Sequence, residues 1–212
     1  MGAKPPIGVV ILAAGGSSRL GTPKQLLNIG GDTLLGRAAR TALASGVDRV
    51  VVVLGAHADA CRQALAGLPL DLVVHPQWAE GQASSIHAGL TRLQAIAPAA
   101  AIIMLCDQPR ISPPVIAALI DRYRVTGARV VSSRYASAAL GPPALFDKSV
   151  FDDLLALTGD AGAKRIIAAN LAEAISFPDG DVDIDTEADL AKLPDIGPAD
   201  FTPPPPGHRR VE

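Results

Sequence analysis

The sequence predicts an α/β protein in which a mostly parallel central sheet lies between two layers of helices. Apolar runs of strand length alternate with segments of helical spacing over roughly the first 130 residues. The strand-length runs are apolar at consecutive positions, as expected for strands that helices cover on both faces. This alternation predicts a three-layer architecture with a sheet of about seven strands.

The first elements of this pattern have clear boundaries. Ile7–Ala13 is an uninterrupted apolar run that predicts a buried strand, and a loop rich in glycine and serine follows it. Helical spacing over residues 34–45 ends at Gly46, the residue type that most often closes a helix. The later strands and helices of this half are predicted at Arg49–Leu54, 59–66, Asp71–Val74, 84–95, 101–106, 113–124 and from Val130.

The pattern changes after about residue 132. Gly141-Pro142-Pro143 interrupts a stretch that predicts an excursion from the sheet or a β-ribbon. Helices at 149–157 and 163–170, a strand at 174–177 and a helix near 187–193 are predicted to follow. The segment from Pro194 contains four consecutive prolines and no hydrophobic periodicity, which indicates an extended arm. Residues 1–193 are therefore predicted to form one domain, and residues 194–212 a proline-rich tail.

Composition and charge argue against several classes of protein. Hydrophobic residues make up 49% of the chain and charged residues 19%, so the chain is able to bury a core. A net charge of −2 without a run of lysine and arginine argues against a dedicated nucleic-acid-binding protein. The apolar runs are shorter than the ~20 residues that span a bilayer, and the first residues do not resemble a secretion signal. We therefore expect a cytoplasmic protein without a membrane segment.

The loop directly after the first strand carries the clearest chemical signal. It begins with Leu12, Ala13, Ala14, Gly15 and Gly16. Small residues let the backbone approach a ligand closely, so that its N–H groups can bind phosphate oxygens. Arg19 and Lys24 add two positive charges that suit a polyphosphate. The loop is therefore predicted to bind a nucleotide at the carboxyl end of the sheet.

Two other glycine-rich patterns do not fit this loop. The dinucleotide-binding pattern GxGxxG is absent, because no two glycines here are separated by one residue. A P-loop, GxxxxGK[ST], fits from Gly16 to Gly21 but then requires lysine where Thr22 stands. An ordinary strand-to-helix turn with two surface cations remains the alternative interpretation.

Two acidic positions are candidates for metal binding. Asp107 follows the apolar run of the fourth strand, where its carboxylate can hold Mg²⁺ against the phosphates. The alternative is a carboxylate that lies near the start of the helix at Pro113. Asp183 and Asp185 alternate with Ile184, so their side chains face the same way if this segment is a strand. Asp185 is the second candidate ligand, unless it only caps the next helix.

Two serines and a tryptophan near the third strand complete the candidate site. Ser84 and Ser85 open a predicted helix, where they either cap that helix or contact the base or ribose of a nucleotide. Trp78 lies in the preceding loop and is expected to close it. His75 directly follows the third strand and is the histidine expected to come nearest to the ligand.

Six segments resemble, in the same order, the motifs of the MobA-like nucleotidyltransferases. They are LAAGGSSRLGTPKQLL from Leu12, EGQASSI from Glu80, CDQP from Cys106, GPPALF from Gly141, GDAGAK from Gly159 and DIDT from Asp183. The sequence departs from the family pattern at Leu20 and Ile86, which are apolar replacements of the usual methionine and leucine. Lys164 stands where arginine is usual, and it keeps the charge but loses the guanidinium fork.

The resemblance implies a Rossmann-like nucleotidyltransferase fold, with a nucleotide half at about 7–132 and an acceptor half at about 133–193. It implies that Arg19 and Lys24 hold the triphosphate and that the backbone from Ala13 to Gly16 supports the nucleotide. It also implies that Asp107 and Asp185 hold Mg²⁺. In such an enzyme an acceptor phosphate oxygen attacks the α-phosphorus in line, and pyrophosphate leaves.

The first loop resembles one branch of the family more than the others. LAAG followed by Pro23-Lys24-Gln25 is similar to the MocA branch, which joins CMP from CTP to molybdopterin. The LAGG…DK loop of the guanylyl-transferring relatives fits less well, so GTP with molybdopterin is the second choice. The methylerythritol cytidylyltransferases share LAAG and PKQ, but their later motifs are missing here.

Two functions of other classes stay open at this point. Relatives described as nicotinamide-dependent reductases resemble this family, although the absence of GxGxxG and the presence of Lys24 and Asp107 argue against an oxidoreductase. A non-catalytic chaperone that carries molybdenum cofactor to a molybdenum hydroxylase apoenzyme is the other alternative. Retention of Asp107 argues against it as well.

Overall fold

The apolar runs of the sequence form the strands of the protein. The computed structural model describes residues 4–16, 23–184 and 189. Within these residues the strands are β1 (Ile7–Ala13), β2 (Asn28–Ile29), β3 (Asp32–Thr33), β4 (Arg49–Leu54), β5 (Asp71–Val74), β6 (Ala100–Leu105), β7 (Val130–Arg134), β8 (Leu140–Asp147) and β9 (Glu173–Ser176). The bounds of β1, β4 and β5 are those predicted from the sequence.

The helices of the described residues begin and end close to the predicted positions. They are α1 (Leu34–Ala44), α2 (Ala58–Ala64), α3 (Gln82–Leu93), α4 (Pro113–Thr126), α5 (Phe151–Leu155) and α6 (Ala163–Ala169). The side chain of Thr33 caps α1 by accepting a hydrogen bond from the backbone N–H of Gly36. Gly46 follows α1 with a φ of 74°, which confirms the predicted helix end, because glycine adopts this left-handed conformation without strain.

Seven strands form one sheet in the order β5-β4-β1-β6-β8-β7-β9. Strand β8 is antiparallel to both of its neighbours, and the other pairings in this sheet are parallel. β1 and β6 are adjacent at the centre, with Leu12 paired to Leu105, so the residues that follow these two strands meet at one edge. The mostly parallel sheet is therefore confirmed, and its central carboxyl edge is where ligands bind in folds of this kind.

Helices cover both faces of the sheet. Alternate residues of β1 enter different hydrophobic clusters: Val9 lies in the cluster that α1, α2 and α4 cover, and Val10 in the one that α3, α5 and α6 cover. Gly89 allows α3 to approach β1 closely, because a Cβ at this position would lie 2.3 Å from Val10 Cγ1. Three layers are thus present, as the continuous apolar runs predict.

Two alternatives were predicted for the stretch around Gly141-Pro142-Pro143. The excursion from the sheet is wrong, because β8 continues through all three residues, whereas the β-ribbon agrees with the antiparallel pairing of β7 with β8. Prolines cannot donate to a sheet, and the pairing of β7 with β8 shifts its register between Val131 and Ser133, beside the two prolines. Side chains then satisfy the strand's carbonyl groups. Ser132 Oγ donates to Gly141 O at 3.2 Å, and Ser133 Oγ donates to Pro143 O at 2.7 Å. The sequence could not show these donors, since their role depends on the bulge.

Several predictions fall on residues outside the described ranges. These are the roles of Arg19 and Asp185, the helix near 187–193 and the arm from Pro194 onward. The division into a nucleotide half and an acceptor half stays a prediction. Among the described residues, no helix is both long enough and apolar enough to cross a membrane.

Candidate active site

A cleft of about 340 Å³ opens at the carboxyl ends of β1 and β6. Its walls come from the loop after β1, the turn after β6 and the first residues of α3, with Lys24 and Gln25 at one side and Asp160 at another. Of the residues predicted to form the site, the cleft is lined by Leu12, Ala13, Ala14, Gly15, Lys24, Ser85 and Asp107. The tertiary structure therefore brings together side chains from three separate sequence motifs.

The loop after β1 is held in place by hydrogen bonds that its backbone carbonyl groups accept. Gln25 is buried, and its Nε2 donates to Ala13 O at 3.1 Å and to Gly15 O at 2.6 Å. The backbone N–H of Ala56 donates to Ala14 O at 3.0 Å. Three consecutive carbonyl oxygens thus have protein donors, so their partial negative charge is compensated beside the cleft. This arrangement favours binding of an anion at the same loop.

Lys24 and Asp107 form an ion pair inside the cleft, in which Lys24 Nζ donates to Asp107 Oδ2. Both side chains are largely buried, with exposed fractions of 22% and 14%. Asp107 Oδ1 is buried and has no hydrogen-bond partner among the described residues. A buried carboxylate oxygen without a partner is costly, and a divalent cation would remove that cost. The donor set at Asp107 therefore fits Mg²⁺, which prefers oxygen ligands.

Further metal ligands are not gathered around Asp107 in the part of the chain that the structure describes. No group of three or more His, Cys, Asp or Glu side chains is placed there to hold a metal ion. The segment before Asp185 does reach this turn, because the backbone N–H of buried Ile184 donates to Asp107 O at 3.1 Å. Asp185 itself lies outside the described residues, so its role as a ligand stays a prediction.

The expectation that Asp183 lies in a strand is wrong. The segment Pro178–Asp181 forms a short 3₁₀ helix, and the three residues after it have no regular secondary structure. The backbone N–H of Ile184 donates to the carbonyl oxygen of Asp107, which lies in a turn. Because a turn offers no strand for pairing, the segment after Asp181 does not form a strand here. The conclusion that Asp183 and Asp185 face the same way therefore has no strand to support it.

Trp78, which was expected to close its own loop, lines the cleft. A Cβ at Gly16 would lie 2.9 Å from Trp78 Cη2, and a Cβ at Gly55 would lie 2.6 Å from Trp78 Cγ. The two glycines thus leave the space that the indole ring occupies. Gly16 serves this packing, and its predicted backbone contact with a nucleotide stays a prediction.

The two serines at the start of α3 have different environments. Ser85 is buried and lines the cleft, as a nucleotide contact requires. Ser84 Oγ lies 2.9 Å from His75 Nε2 and donates to Gly81 O at 2.8 Å. Ser84 is therefore engaged with the loop before the helix, and its contact with a nucleotide stays a prediction. The contact between His75 Nε2 and Ser84 Oγ therefore links His75 to the loop before α3.

A second pocket of about 300 Å³ adjoins the cleft. The two share Leu12, Gln82, Leu105 and Asp160, and the second pocket continues to Ile103, Pro142, Gly162, Ala163 and Lys164. Its floor is apolar, while an amide, a carboxylate and an ammonium group stand around it. The arrangement offers room for a second molecule beside the one bound in the cleft.

Two loops meet tightly where the pockets join. The backbone N–H of Ala83 donates to Gly159 O at 3.1 Å. A Cβ at Gly81 would lie 2.3 Å from the same carbonyl oxygen, and one at Gly162 would lie 1.9 Å from Gln82 Oε1. Gly81 has a φ of 108° and would meet backbone atoms, so this position requires glycine. A larger residue at Gly162 would instead displace the end of the Gln82 side chain.

Sequence reasoning did not assign site roles to Gln25, Gln82 and Asp160. All three lie inside the motifs quoted above, so the signal was present, but the contacts of their side chains were not predictable from spacing. Cys106 also lines the cleft, and burial raises the pKa of its thiol far above the ordinary value. This agrees with its interpretation as a buried apolar residue and not a reactive thiol.

The chain matches one family model and is similar to curated proteins over most of its length. The profile described as the MobA-like NTP transferase domain matches residues 9–174. Nicotine blue oxidoreductase of Paenarthrobacter nicotinovorans is 33% identical over 196 residues, which cover 87% of this chain and 94% of that protein. Purine catabolism protein PucB of Bacillus subtilis is 30% identical over 173 residues, or 74% of this chain and 78% of its own length.

Comparison with solved structures points the same way. The crystal structure of Rv0371c from Mycobacterium tuberculosis H37Rv superimposes with a TM-score of 0.78 at 33% identity, covering 89% of this chain and 97% of that one. Rv0371c has also been crystallised in complex with manganese, and that structure superimposes with a TM-score of 0.75 at 30% identity, again over 89% and 97% of the two chains.

Proposed function

The chain belongs to the MobA-like NTP transferase family, and we propose that it transfers CMP from CTP to a phosphorylated acceptor of the molybdopterin type. The observation that carries this proposal is the pairing of Lys24 with Asp107 in a cleft that adjoins a second pocket. A transferase needs neighbouring sites for its two substrates. The two pockets fit this requirement, because both are lined by Leu12, Gln82, Leu105 and Asp160.

The proposed reaction needs no covalent intermediate with the enzyme. An oxygen of the acceptor phosphate forms a bond to the α-phosphorus of the triphosphate. The bond from that phosphorus to the bridging oxygen breaks, and the electron pair leaves with pyrophosphate. Lys24 lies where it can neutralise charge that develops on these oxygens, and the loop after β1 orients the nucleotide. Holding both substrates in line is the larger task of the protein.

A divalent cation is part of this proposal. When bound, Mg²⁺ would neutralise phosphate charge and polarise the phosphorus centre. Asp107 would hold it through the oxygen that lacks a protein partner, and Asp185 is the predicted second ligand. Rv0371c, which shares this fold and is 30% identical to the chain, has been crystallised with manganese, and this supports the proposal that a divalent cation binds here.

The chemistry of the second pocket supports a flat, phosphorylated acceptor. Its apolar floor, which includes Ile103 and Ala163, suits a ring system. Lys164 at its edge provides the positive charge that a phosphate group requires. A lysine ammonium group binds as a point charge, so it does not offer the bidentate contact to a phosphate that arginine would make.

The choice of CTP over GTP depends on the resemblance of the first loop to the MocA branch. The decisive measurement is pyrophosphate release from CTP, GTP and ATP with molybdopterin as acceptor, with and without Mg²⁺. We expect release with CTP, dependence on both acceptor and metal, and little release without either. Pyrophosphate release that needs no acceptor would contradict transfer and would indicate hydrolysis of the triphosphate.

An oxidoreductase is the second candidate, because a relative with that name is 33% identical to this chain over nearly its full length. The test is oxidation of NADPH in the presence of a dye acceptor, monitored by absorbance. Turnover of NADPH that survives replacement of both Lys24 and Asp107 would favour the oxidoreductase. Absence of NADPH binding together with CTP-dependent pyrophosphate release would exclude it.

A further inference from the structure

Tyr135 lies behind the turn that carries Asp107, outside every motif that identified the family. It follows the last residue of β7 and is 6% exposed. Its hydroxyl group donates to Pro142 O and accepts a hydrogen bond from Gln108 Nε2 at 3.3 Å. Burial is the main reason why the pKa of this phenol is raised to about 12, so the hydroxyl group keeps its proton and donates at neutral pH.

Gln108 connects this tyrosine to the candidate metal site. It directly follows Asp107, and it is 5% exposed. Besides Tyr135, its Nε2 reaches Pro142 O at 3.2 Å and Gly180 O at 3.0 Å. A single amide group thus binds the wall of the second pocket and the 3₁₀ turn at Pro178–Asp181. Any movement of the Asp107 turn has to break these bonds.

The ring of Tyr135 fills a space that two glycines leave open. A Cβ at Gly180 would lie 2.1 Å from Tyr135 Cδ1, and a Cβ at Gly141 would lie 2.2 Å from its hydroxyl oxygen. The ring also packs edge-on against Phe177, with 6.4 Å between the ring centres. The tyrosine therefore fixes the spacing between β8 and the Pro178–Asp181 turn, and Gln108 fixes the Asp107 turn to both.

A main-chain hydrogen bond also attaches the Asp107 turn to the segment that follows Gly180. The N–H of Ile184 donates to Asp107 O at 3.1 Å, four residues after the Gly180 carbonyl that accepts from Gln108. The Asp107 turn is thus attached to the segment 180–184 by one side chain and one main-chain bond. Two independent attachments restrain the direction of the Asp107 carboxylate more strongly than either one alone.

We propose that Tyr135 and Gln108 are positioning residues that hold the Asp107 carboxylate in its metal-binding orientation. The inference deepens the proposed function and depends on it, because it concerns the same carboxylate. Neither residue needs to touch the substrates. Loss of the Tyr135 hydroxyl group should loosen the turn and weaken metal binding, with only a small effect on the fold.

The chain offers a matched control for this substitution. Tyr123 in α4 also donates from its hydroxyl group to a protein oxygen, Asp147 Oδ2, at 2.7 Å, and its pKa is likewise raised to about 12 by burial. Asp147 pairs with Ala100 at the start of β6, the end of that strand opposite Asp107. Tyr135→Phe and Tyr123→Phe therefore remove the same chemical group at opposite edges of the sheet.

The experiment compares the wild-type protein, Tyr135→Phe, Tyr123→Phe and Gln108→Met. It measures the Mn²⁺ dissociation constant by calorimetry with the α,β-methylene analogues of CTP and GTP, and the amide hydrogen exchange of Ile184 without ligand. We expect Tyr135→Phe to weaken Mn²⁺ binding about tenfold and to speed Ile184 exchange by a similar factor. Gln108→Met should do at least as much, and Tyr123→Phe should change both values less than twofold.

The two proposals fail in different ways. Unchanged Ile184 exchange and Mn²⁺ affinity in Tyr135→Phe would overturn the positioning role and leave the proposed function intact. Equal changes in Tyr135→Phe and Tyr123→Phe would also overturn it, since they would show a general loss of stability. Wild-type protein that binds no Mn²⁺ with either analogue would overturn the metal site, and with it the proposed function.

Discussion

Lys24 Nζ donates to Asp107 Oδ2 across the cleft, although 83 positions separate the two residues in the sequence. The pair joins the loop after β1 to the turn after β6. Because both side chains are largely shielded from water, their attraction is stronger than that of a surface ion pair. Each partner is thereby held inside the cleft before any ligand is bound.

Lys24→Ala should lower kcat by ~10²–10³-fold, the usual scale for removing one preorganised charge-stabilising donor. Affinity for CTP, measured by calorimetry, should weaken far less, because the loop after β1 and the metal also hold the triphosphate. Lys148→Ala is the control, since Lys148 is exposed and lies outside the cleft. Equal losses in affinity and turnover would show that Lys24 contributes to binding in general and not to the transition state.

Asp107→Asn should remove the metal dependence of the reaction and most of its rate. The neutral amide keeps the shape of the side chain but cannot balance the charge of the ion. We expect turnover to fall at least ~10²-fold, as for loss of a preorganised charged group, with a folded protein by circular dichroism. Asp59→Asn, at a 93% exposed side chain, is the control. Near-normal turnover with an unchanged Mg²⁺ requirement would rule out Asp107 as a ligand.

The base site should prefer a pyrimidine nucleotide. Ala14 and Pro23 in the first loop motivate this prediction. The measurement is kcat/KM for CTP, GTP and ATP with the same acceptor. We expect CTP to give the highest value. A clear preference for GTP would instead assign the chain to the guanylyl-transferring branch.

Gln25→Met should disturb the nucleotide loop, because it removes the donor that binds Ala13 O and Gly15 O. Leaving the carbonyl group of buried Ala13 without this partner costs about 1–3 kcal/mol, so the free energy of unfolding in urea should fall by that amount. The KM for the nucleotide should rise as well. Gln63→Met on the exposed face of α2 is the control. A destabilised variant with an unchanged nucleotide KM would limit Gln25 to a structural role.

The free energy of unfolding should decrease as the pH rises above ~10, because the two tyrosines then lose their protons more readily in the unfolded chain than in the folded protein. Burial raises the pKa of both Tyr123 and Tyr135 to about 12 in the folded protein. Unfolded tyrosine titrates near 10. The protonated phenols therefore contribute stability below pH ~10, and this contribution is lost as the pH rises toward 12. The chain has two tyrosines, so Tyr123→Phe combined with Tyr135→Phe should flatten this part of the pH profile. An unchanged slope would contradict the raised pKa values.

Local sequence patterns predict the scaffold of the site well. The first strand, the loop after it and the apolar run before Asp107 are contiguous segments, and their meaning depends on neighbours in the chain. Parallel strands place their carboxyl ends at one edge, so Lys24 and Asp107 could be assigned to one site before the structure was known. The family motifs around Gly81 and Gly159 were likewise visible, although not their contact with each other.

Contacts between residues that are far apart in the chain could not be predicted from the sequence. Gln25 could not be assigned to the carbonyl groups of the first loop, since a glutamine can bond in any direction that its neighbours permit. Tyr135 carries no motif, and its importance comes from Gln108 and Gly180, which only the folded chain brings beside it. The continuation of β8 through two prolines was missed for the same reason, because side chains of another strand supply the donors.

The sequence by itself therefore determined the α/β class, the bounds of β1, β4 and β5, and two charged residues that line the cleft, Lys24 and Asp107. These properties follow from local hydrophobic periodicity and from the chemistry of short motifs. Only the tertiary structure decided that β8 lies antiparallel between β6 and β7, that the cleft adjoins a second pocket, and that Tyr135 bonds to Gln108 and Pro142. Those features depend on pairs of groups far apart in the chain, whose meeting is fixed by packing and by the need to satisfy buried polar atoms.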